Sequence, residues 1–129
     1  MKIETIFAVG TGGFIGATLR LYLNGVVNSS VQFLSLPLGT LFVNLLGSFI
    51  IGLFFGYIHT HSIPIYIKTF LVTGLLGALT TFSTFAYETL LLLEGGEFGH
   101  AILNILLNLS GTLFMVYLGM KLVNSNWLF

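Results

Sequence analysis

The chain has 129 residues, 56% of them hydrophobic and only 6% charged, with a formal net charge of zero. Soluble domains carry about a quarter charged residues, so this composition excludes an ordinary water-soluble fold and points to a bilayer as solvent. Zero net charge leaves no basic patch for nucleic acid and no acidic tail for a charged partner. The lack of cysteine removes disulfides and thiolate metal sites.

A helix that crosses the hydrocarbon core needs roughly 20 apolar residues. Four stretches meet that length: Thr5–Leu23, Leu36–Ile58, Ile65–Leu93 and Phe98–Val123. The expected fold is therefore an all-α, multi-pass membrane protein, one domain over 1–129, with four transmembrane helices. The apolar run after Lys2 resembles a secretory leader but passes without a cleavage pattern into equally apolar sequence, and it reads as the first span. Polar connections are expected at Asn24–Ser35, at His59–Pro64 and at Glu94-Gly95-Gly96-Glu97. Pro37 and Pro64 stand at the starts of spans two and three, where a missing N–H is harmless.

In span one, Gly12/Gly16 and Gly13/Ala17 repeat small residues every fourth position, as Ser48, Gly52 and Gly56 do in span two. Such spacing lets helix backbones approach closely in lipid, and helix packing is the preferred reading. Gly10-Thr11-Gly12-Gly13 is not a nucleotide loop, since Ile15 stands where the GxGxxG fingerprint needs glycine and no strand precedes it. Arg20 lies near the end of the predicted span, as a snorkelling anchor or as a positive mouth that gathers anions. His59 and His61 share a loop, where solvation explains them better than a metal does.

Polar side chains inside spans are expensive and mark function. Thr40 and Asn44 lie one turn apart in span two, continuing toward Ser48. Span three is too long for a simple crossing and contains Gly74, Gly77, Thr80, Thr81, Ser83 and Thr84, then Glu88. Either it tilts, with hydroxyls bonded to their own i−4 carbonyls, or it breaks near Gly77–Thr81 beside a wet cavity. Glu88 is deep enough to want an amide or hydroxyl partner. Asn104, Asn108 and Thr112 form an i, i+4, i+8 stripe on span four. Interhelical hydrogen bonding accounts for a lone asparagine; two stripes and a hydroxyl cluster together suggest a polar track across the membrane. Phe82 and Phe85 sit inside that cluster. The positive edge of a phenyl ring attracts an anion without a full counter-charge, which suits conduction, where exit must stay easy.

Gly12–Arg20 (GGFIGATLR), Gly39–Gly52 (GTLFVNLLGSFIIG) and Gly74–Phe85 (GLLGALTTFSTF) resemble, in order, the signature stretches of the Fluc, or CrcB, family of fluoride channels. The resemblance implies an antiparallel, dual-topology homodimer with two fluoride pores in the cell (inner) membrane, and no enzyme activity. It implies that Phe82 and Phe85 form an aromatic box, that Asn44 donates to fluoride, and that Ser83 and Thr84 line the path. It places Thr40, Asn104, Asn108 and Thr112 along the track and Arg20 at the vestibule. It also implies a structural sodium ion on the backbone carbonyls of Gly77 and Thr80 from both protomers. On span four the family commonly has tyrosine and serine where this chain has Asn104 and Asn108.

Chain order puts Lys2, Lys68 and Lys121 on one side of the membrane and Arg20 on the other, a bias too slight to fix one orientation. The chief rival reading is a small multidrug-type, proton-coupled exporter. That class resembles a four-span protein with a membrane-embedded glutamate on span one, where this chain has only Glu4 at the edge. A purely structural membrane subunit is a third reading. No nucleophile, base and orienting partner converge as an enzyme requires.

Overall fold

The structure, a computed structural model, describes residues 2–31 and 35–126. Residues 32–34 of the predicted first connection lie outside that set. The chain folds into α1 (Ile3–Ser30), α2 (Leu38–Ile58), a third span, and α6 (Phe98–Val123). The third span is composite: α3 (Ile65–Lys68), a π-helical segment (Thr69–Leu76), α4 (Gly77–Leu79) and α5 (Phe82–Glu94). Four stretches, with Ile65–Glu94 as the third, are long and apolar enough to cross a membrane, and no strand occurs among the described residues. The protein is an all-helical, multi-pass integral membrane protein.

α1 runs past the predicted end at Leu23 to Ser30. Its polar tail reads as loop by composition, yet its side chains support a helix. The Ser29 and Ser30 hydroxyls donate to the Val26 carbonyl at 2.9 and 2.8 Å. Asn28 Oδ1 accepts the Gly39 N–H at 2.9 Å, capping α2 from a neighbouring helix. Arg20 is consequently not near the end of its helix; about 15 Å of helix follows it.

α2 is the most enclosed span, with Gly39, Thr40, Val43, Asn44, Gly47, Gly52 and Gly56 buried. It packs along α6, while α1 packs along the π-helical segment. Val43, Leu76 and Leu79 form the apolar core between α2 and the first half of span three. Lipid tails are as apolar as leucine, so packing in a bilayer depends on how closely backbones approach. Gly52 and Gly119 supply that closeness at the α2–α6 crossing. A Cβ on Gly52 would lie 3.0 Å from Val116 Cα, and one on Gly119 2.7 Å from the Leu53 nitrogen. Gly74 and Gly12 do the same where α1 meets the π-helical segment, with 3.0 Å between a Gly74 Cβ and Gly12 Cα. Gly13, by contrast, has nothing within 4 Å of an added Cβ and Ala17 is exposed, so the second small-residue pair of α1 is not a contact.

Gly52→Ala therefore destabilises the bundle by roughly 1–3 kcal/mol through overpacking against a backbone that cannot yield. Gly13→Ala, with open space for its methyl, leaves stability unchanged or raises it by up to about 1 kcal/mol through helix propensity. Thermal unfolding of both variants in detergent checks this, and equal midpoints would contradict the close-approach argument.

The turn after α5 closes as the Gly95-Gly96 pair predicts. Gly96 takes a left-handed φ of 77°, and the Glu97 N–H reaches back to the Leu92 carbonyl at 2.8 Å.

Candidate functional site

The third span breaks at Thr80 and Thr81, within the predicted interval. Both residues are extended, with φ/ψ of −81/155° and −152/117°. Extended backbone inside a bilayer needs partners from the protein. Asn44 of α2 supplies them. Its Oδ1 accepts the Thr81 N–H at 2.8 Å, and its Nδ2 donates to the Thr81 carbonyl at 3.2 Å. One side-chain amide thus pairs with both backbone groups of Thr81, as a neighbouring strand would. α5 then restarts on a side-chain cap, because Thr81 Oγ1 accepts the Thr84 N–H at 3.2 Å. The same hydroxyl donates to Thr84 Oγ1 at 3.0 Å and lies 3.3 Å from Ser83 Oγ.

In an unbroken helix the Thr81 and Thr84 N–H groups would bond the carbonyls of Gly77 and Thr80. Both donors are turned elsewhere, so those two carbonyls lose their helical partners. Gly77 is exposed, and Gly77 and Thr80 border one cavity. Oxygen ligands of this kind suit a hard cation, and the predicted sodium site fits the residues present.

That cavity has a volume of about 510 Å³, and its wall includes Asn44, Ser48, Phe82, Phe85, Asn108 and Thr112. The Phe82 and Phe85 rings are 5.4 Å apart at 56°; Phe82 is 79% exposed and Phe85 half-buried. Both N–H groups of the Asn44 amide are engaged, the second donating to Asn108 Oδ1 at 2.9 Å. Asn108 Nδ2 donates in turn to Asn104 Oδ1 at 3.0 Å. Thr112 donates to the Asn108 carbonyl at 2.6 Å.

A second, more open cavity of about 470 Å³ lies against Asn28, Pro37, Glu88 and Glu97. Thr40, one turn from Asn44, is 1% exposed and donates to Glu88 Oε1 at 2.8 Å. Glu88 thus has the hydroxyl partner its depth requires, while its Oε2 is buried without one. Thr112, Ser48, Asn44 and Thr81 thus border the first cavity, and Glu88, bonded to Thr40, borders the second.

The structure brings together most of the residues singled out in the sequence. Asn44, Phe82, Phe85, Asn108, Thr112, Gly77 and Thr80 share the first cavity. Thr40 and Asn104 are buried behind its wall, and Ser83 and Thr84 sit at the α5 N-terminus beside Thr81. Arg20, half-buried on α1, borders neither cavity. His59 and His61 are exposed, and the His61 ring stacks on Tyr57 at 4.2 Å. Sequence reading passed over Thr89, a buried hydroxyl that accepts from Asn104 Nδ2 at 2.9 Å. Its signal was a lone threonine before a run of leucines, directly after a half-buried acid.

Known proteins resemble this chain over most of its length. The model of the family described as CrcB-like protein, Camphor Resistance (CrcB), matches residues 7–120. The fluoride-specific ion channel FluC of Campylobacter jejuni is 51% identical, over 91% of this chain and 95% of its own length. Proteins of the same name from Campylobacter fetus and Sulfurimonas denitrificans are each 49% identical; the alignments cover 95% and 89% of this chain, and 96% and 89% of theirs. With four spans, a braced break in the third and a family match over nearly its whole length, the chain belongs to the CrcB family.

Proposed function

We propose that this protein is a fluoride-selective channel that lets fluoride leave the cytoplasm passively and so lowers its toxicity. The observation that carries the reading is the braced break at Thr81. It sets an amide, the Thr80 and Thr81 residues and two phenyl rings around one cavity whose wall has no charged side chain, with Ser83 and Thr84 next to Thr81. Relatives at about half identity carry the name fluoride-specific ion channel, and their bacterial sources make the inner membrane its location.

Fluoride is small and tightly hydrated, so a pore must replace its water with comparable donors while leaving exit easy. Asn44 offers N–H donors that the anion takes over from the Thr81 carbonyl and Asn108 Oδ1, Ser83 and Thr84 offer hydroxyls, and ring edges of Phe82 and Phe85 offer partial positive charge. Asn108 and Thr112 continue the track along α6, with Asn104 behind them and Thr40 leading toward Glu88. The N-terminus of α5 adds the positive end of a helix dipole at the same place. Hydrogen fluoride enters cells as a neutral acid and ionises in less acidic cytoplasm, after which the membrane potential drives the anion out.

A second copy inserted antiparallel completes the site in this reading. One protomer leaves Gly77 and Phe82 exposed beside a half-open cavity, and a homodimer in the lipid bilayer would cover them. The carbonyls of Gly77 and Thr80 from both copies would hold a structural sodium ion. When bound, such an ion would supply positive charge to carbonyl oxygens that have lost their helical donors. Arg20 serves as a cationic group outside the track. The proton-coupled exporter has no support: α1 carries an acid only at Glu4, exposed in its first turn.

Protein reconstituted into liposomes loaded with fluoride should discharge it when a cation ionophore balances charge, and chloride-loaded liposomes should not discharge. Equal release of both ions, or none, would reject fluoride selectivity. Exchange of sodium for a bulky organic cation should lower the thermal midpoint of the reconstituted dimer, and an unchanged midpoint would reject the sodium site.

A further inference from the structure

The hydrogen bonds around Asn44 form one chain that begins and ends on the backbone flanking the two phenyl rings. The Thr81 N–H donates to Asn44 Oδ1, and Asn44 Nδ2 donates to Asn108 Oδ1. Asn108 Nδ2 donates to Asn104 Oδ1, and Asn104 Nδ2 donates to Thr89 Oγ1. The Thr89 hydroxyl donates to the Phe85 carbonyl at 2.7 Å.

A primary amide can face either way, and its partners decide which. Here the partners leave no choice. A backbone N–H can only donate and a backbone carbonyl can only accept, so a chain pinned by one at each end has a single polarity. Turning Asn44 or Asn108 over would set nitrogen against nitrogen and oxygen against oxygen at its two links, and turning Asn104 over would set nitrogen against nitrogen at Asn108 and draw the Thr89 hydroxyl off the Phe85 carbonyl. Each such mismatch is expensive in a dry interior, where an unmade hydrogen bond has no water to replace it.

We propose that Thr89, Asn104 and Asn108 are positioning residues that, together with the Thr81 backbone, fix which way the Asn44 amide faces, so that an anion meets its N–H groups by displacing the acceptors that now hold them, and that Asn104 and Asn108 act on the ion through Asn44. This rests on the reading of Asn44 as an anion donor. Asn104 is 1% exposed and Thr89 7% exposed, and neither borders the cavity that Asn44 lines. Asn108 borders it, but its Oδ1 is held by Asn44 and its Nδ2 by Asn104 Oδ1 and the Asn104 carbonyl. A reversed Asn44 would present an acceptor oxygen along the path and repel the anion it should bind. Asparagine suits the two α6 positions because a primary amide accepts at one end and donates at the other.

The test lies at the far end of the chain, where a substitution touches neither the cavity nor Asn44. Thr89→Val keeps the shape of the side chain and removes the acceptor for Asn104. Two readouts are taken on the full protein: fluoride efflux from liposomes, and the side-chain amide signals of Asn44 in 15N-asparagine-labelled protein in nanodiscs, identified by their loss in Asn44→Asp. Thr89→Val should shift the Asn44 signals and slow efflux roughly three- to tenfold, the span set by a lost buried partner. Thr89→Ser, which restores the hydroxyl, should recover both. Unmoved Asn44 signals would overturn the proposal even if efflux fell, because the loss would then come through packing. Unchanged efflux with shifted signals would overturn it equally. If Thr89→Val fails to assemble, Thr89→Ala removes the same acceptor without the branched side chain and is read identically. If the unsubstituted protein passes no fluoride, the conduction reading falls, and the Asn44 signals alone decide whether the chain orients that amide.

Discussion

Asn44→Leu is expected to abolish fluoride efflux and to weaken the fold at the same time. Leucine matches asparagine in branching and heavy-atom count, is somewhat bulkier, and offers no hydrogen bond. Its substitution leaves the Thr81 N–H, the Thr81 carbonyl and Asn108 Oδ1 without the partner each has now. Buried groups stripped of a partner cost about 1–3 kcal/mol each in water-soluble proteins and less in membranes, so the combined loss is on the order of 2–5 kcal/mol. The break at Thr80–Thr81 depends on this brace, because extended backbone at membrane depth survives only with internal partners. Without it, span three relieves its unpaired groups by rewinding or by loosening, and either change moves Phe82 and Ser83. Efflux assays and thermal unfolding on the same preparation check both halves. Wild-type efflux from Asn44→Leu would refute the amide as donor and as brace alike.

The second large effect is selective for conduction. The double substitution Phe82→Ile/Phe85→Ile keeps apolar bulk at both positions and removes the aromatic quadrupoles. Efflux is expected to fall roughly 10- to 100-fold, taking each ring–anion contact to be of the same order as a ring–ring quadrupole contact, about 0.5–1.5 kcal/mol, with two rings acting on the same ion. The fold of each protomer should barely change in stability, with any loss confined to the interface that covers Phe82 in the dimer. Phe82 is 79% exposed and its ring fills no core position, while Phe85 is half-buried at the cavity wall. The contrast separates the two kinds of residue at this site: Asn44 holds the break together, whereas the rings act on what passes it. Unchanged efflux with an intact thermal transition would remove the rings from the path.

Much of this was legible in the sequence because lipid makes polar residues conspicuous. In water a threonine or asparagine on a helix means little, but within a 20-residue apolar run it needs an explanation. The excess length of span three and its hydroxyl cluster therefore located the break, and the one-turn spacing of Thr40 and Asn44 placed both on the face that meets it. The four spans followed from hydropathy alone, with the fourth matching at both ends. α1 was drawn too short, because the polar residues after Leu23 read as loop when their bonds are unseen. Asn28 is bonded to a group eleven positions away, the Gly39 N–H, and nothing local in sequence shows that. The displacement of Arg20 from the helix end is the direct consequence.

The sequence by itself determined that this chain lives in a bilayer, how many times it crosses, and which polar residues the membrane would have to accommodate. These properties are additive along the chain, and transfer free energy fixes them residue by residue. Only the tertiary structure decided which of those residues meet. Asn44, Asn104 and Asn108 looked like equivalent members of two stripes. In three dimensions they are consecutive links of one chain that runs from the Thr81 N–H to the Phe85 carbonyl through Thr89. The break has the same origin. Thr80 and Thr81 are extended because an amide on α2 satisfies them from across the helix interface. A hydrogen bond between residues 37 positions apart depends on how two helices pack, and that is set by backbone contacts at Gly52 and Gly119, Gly12 and Gly74, rather than by any local preference of the residues that make it.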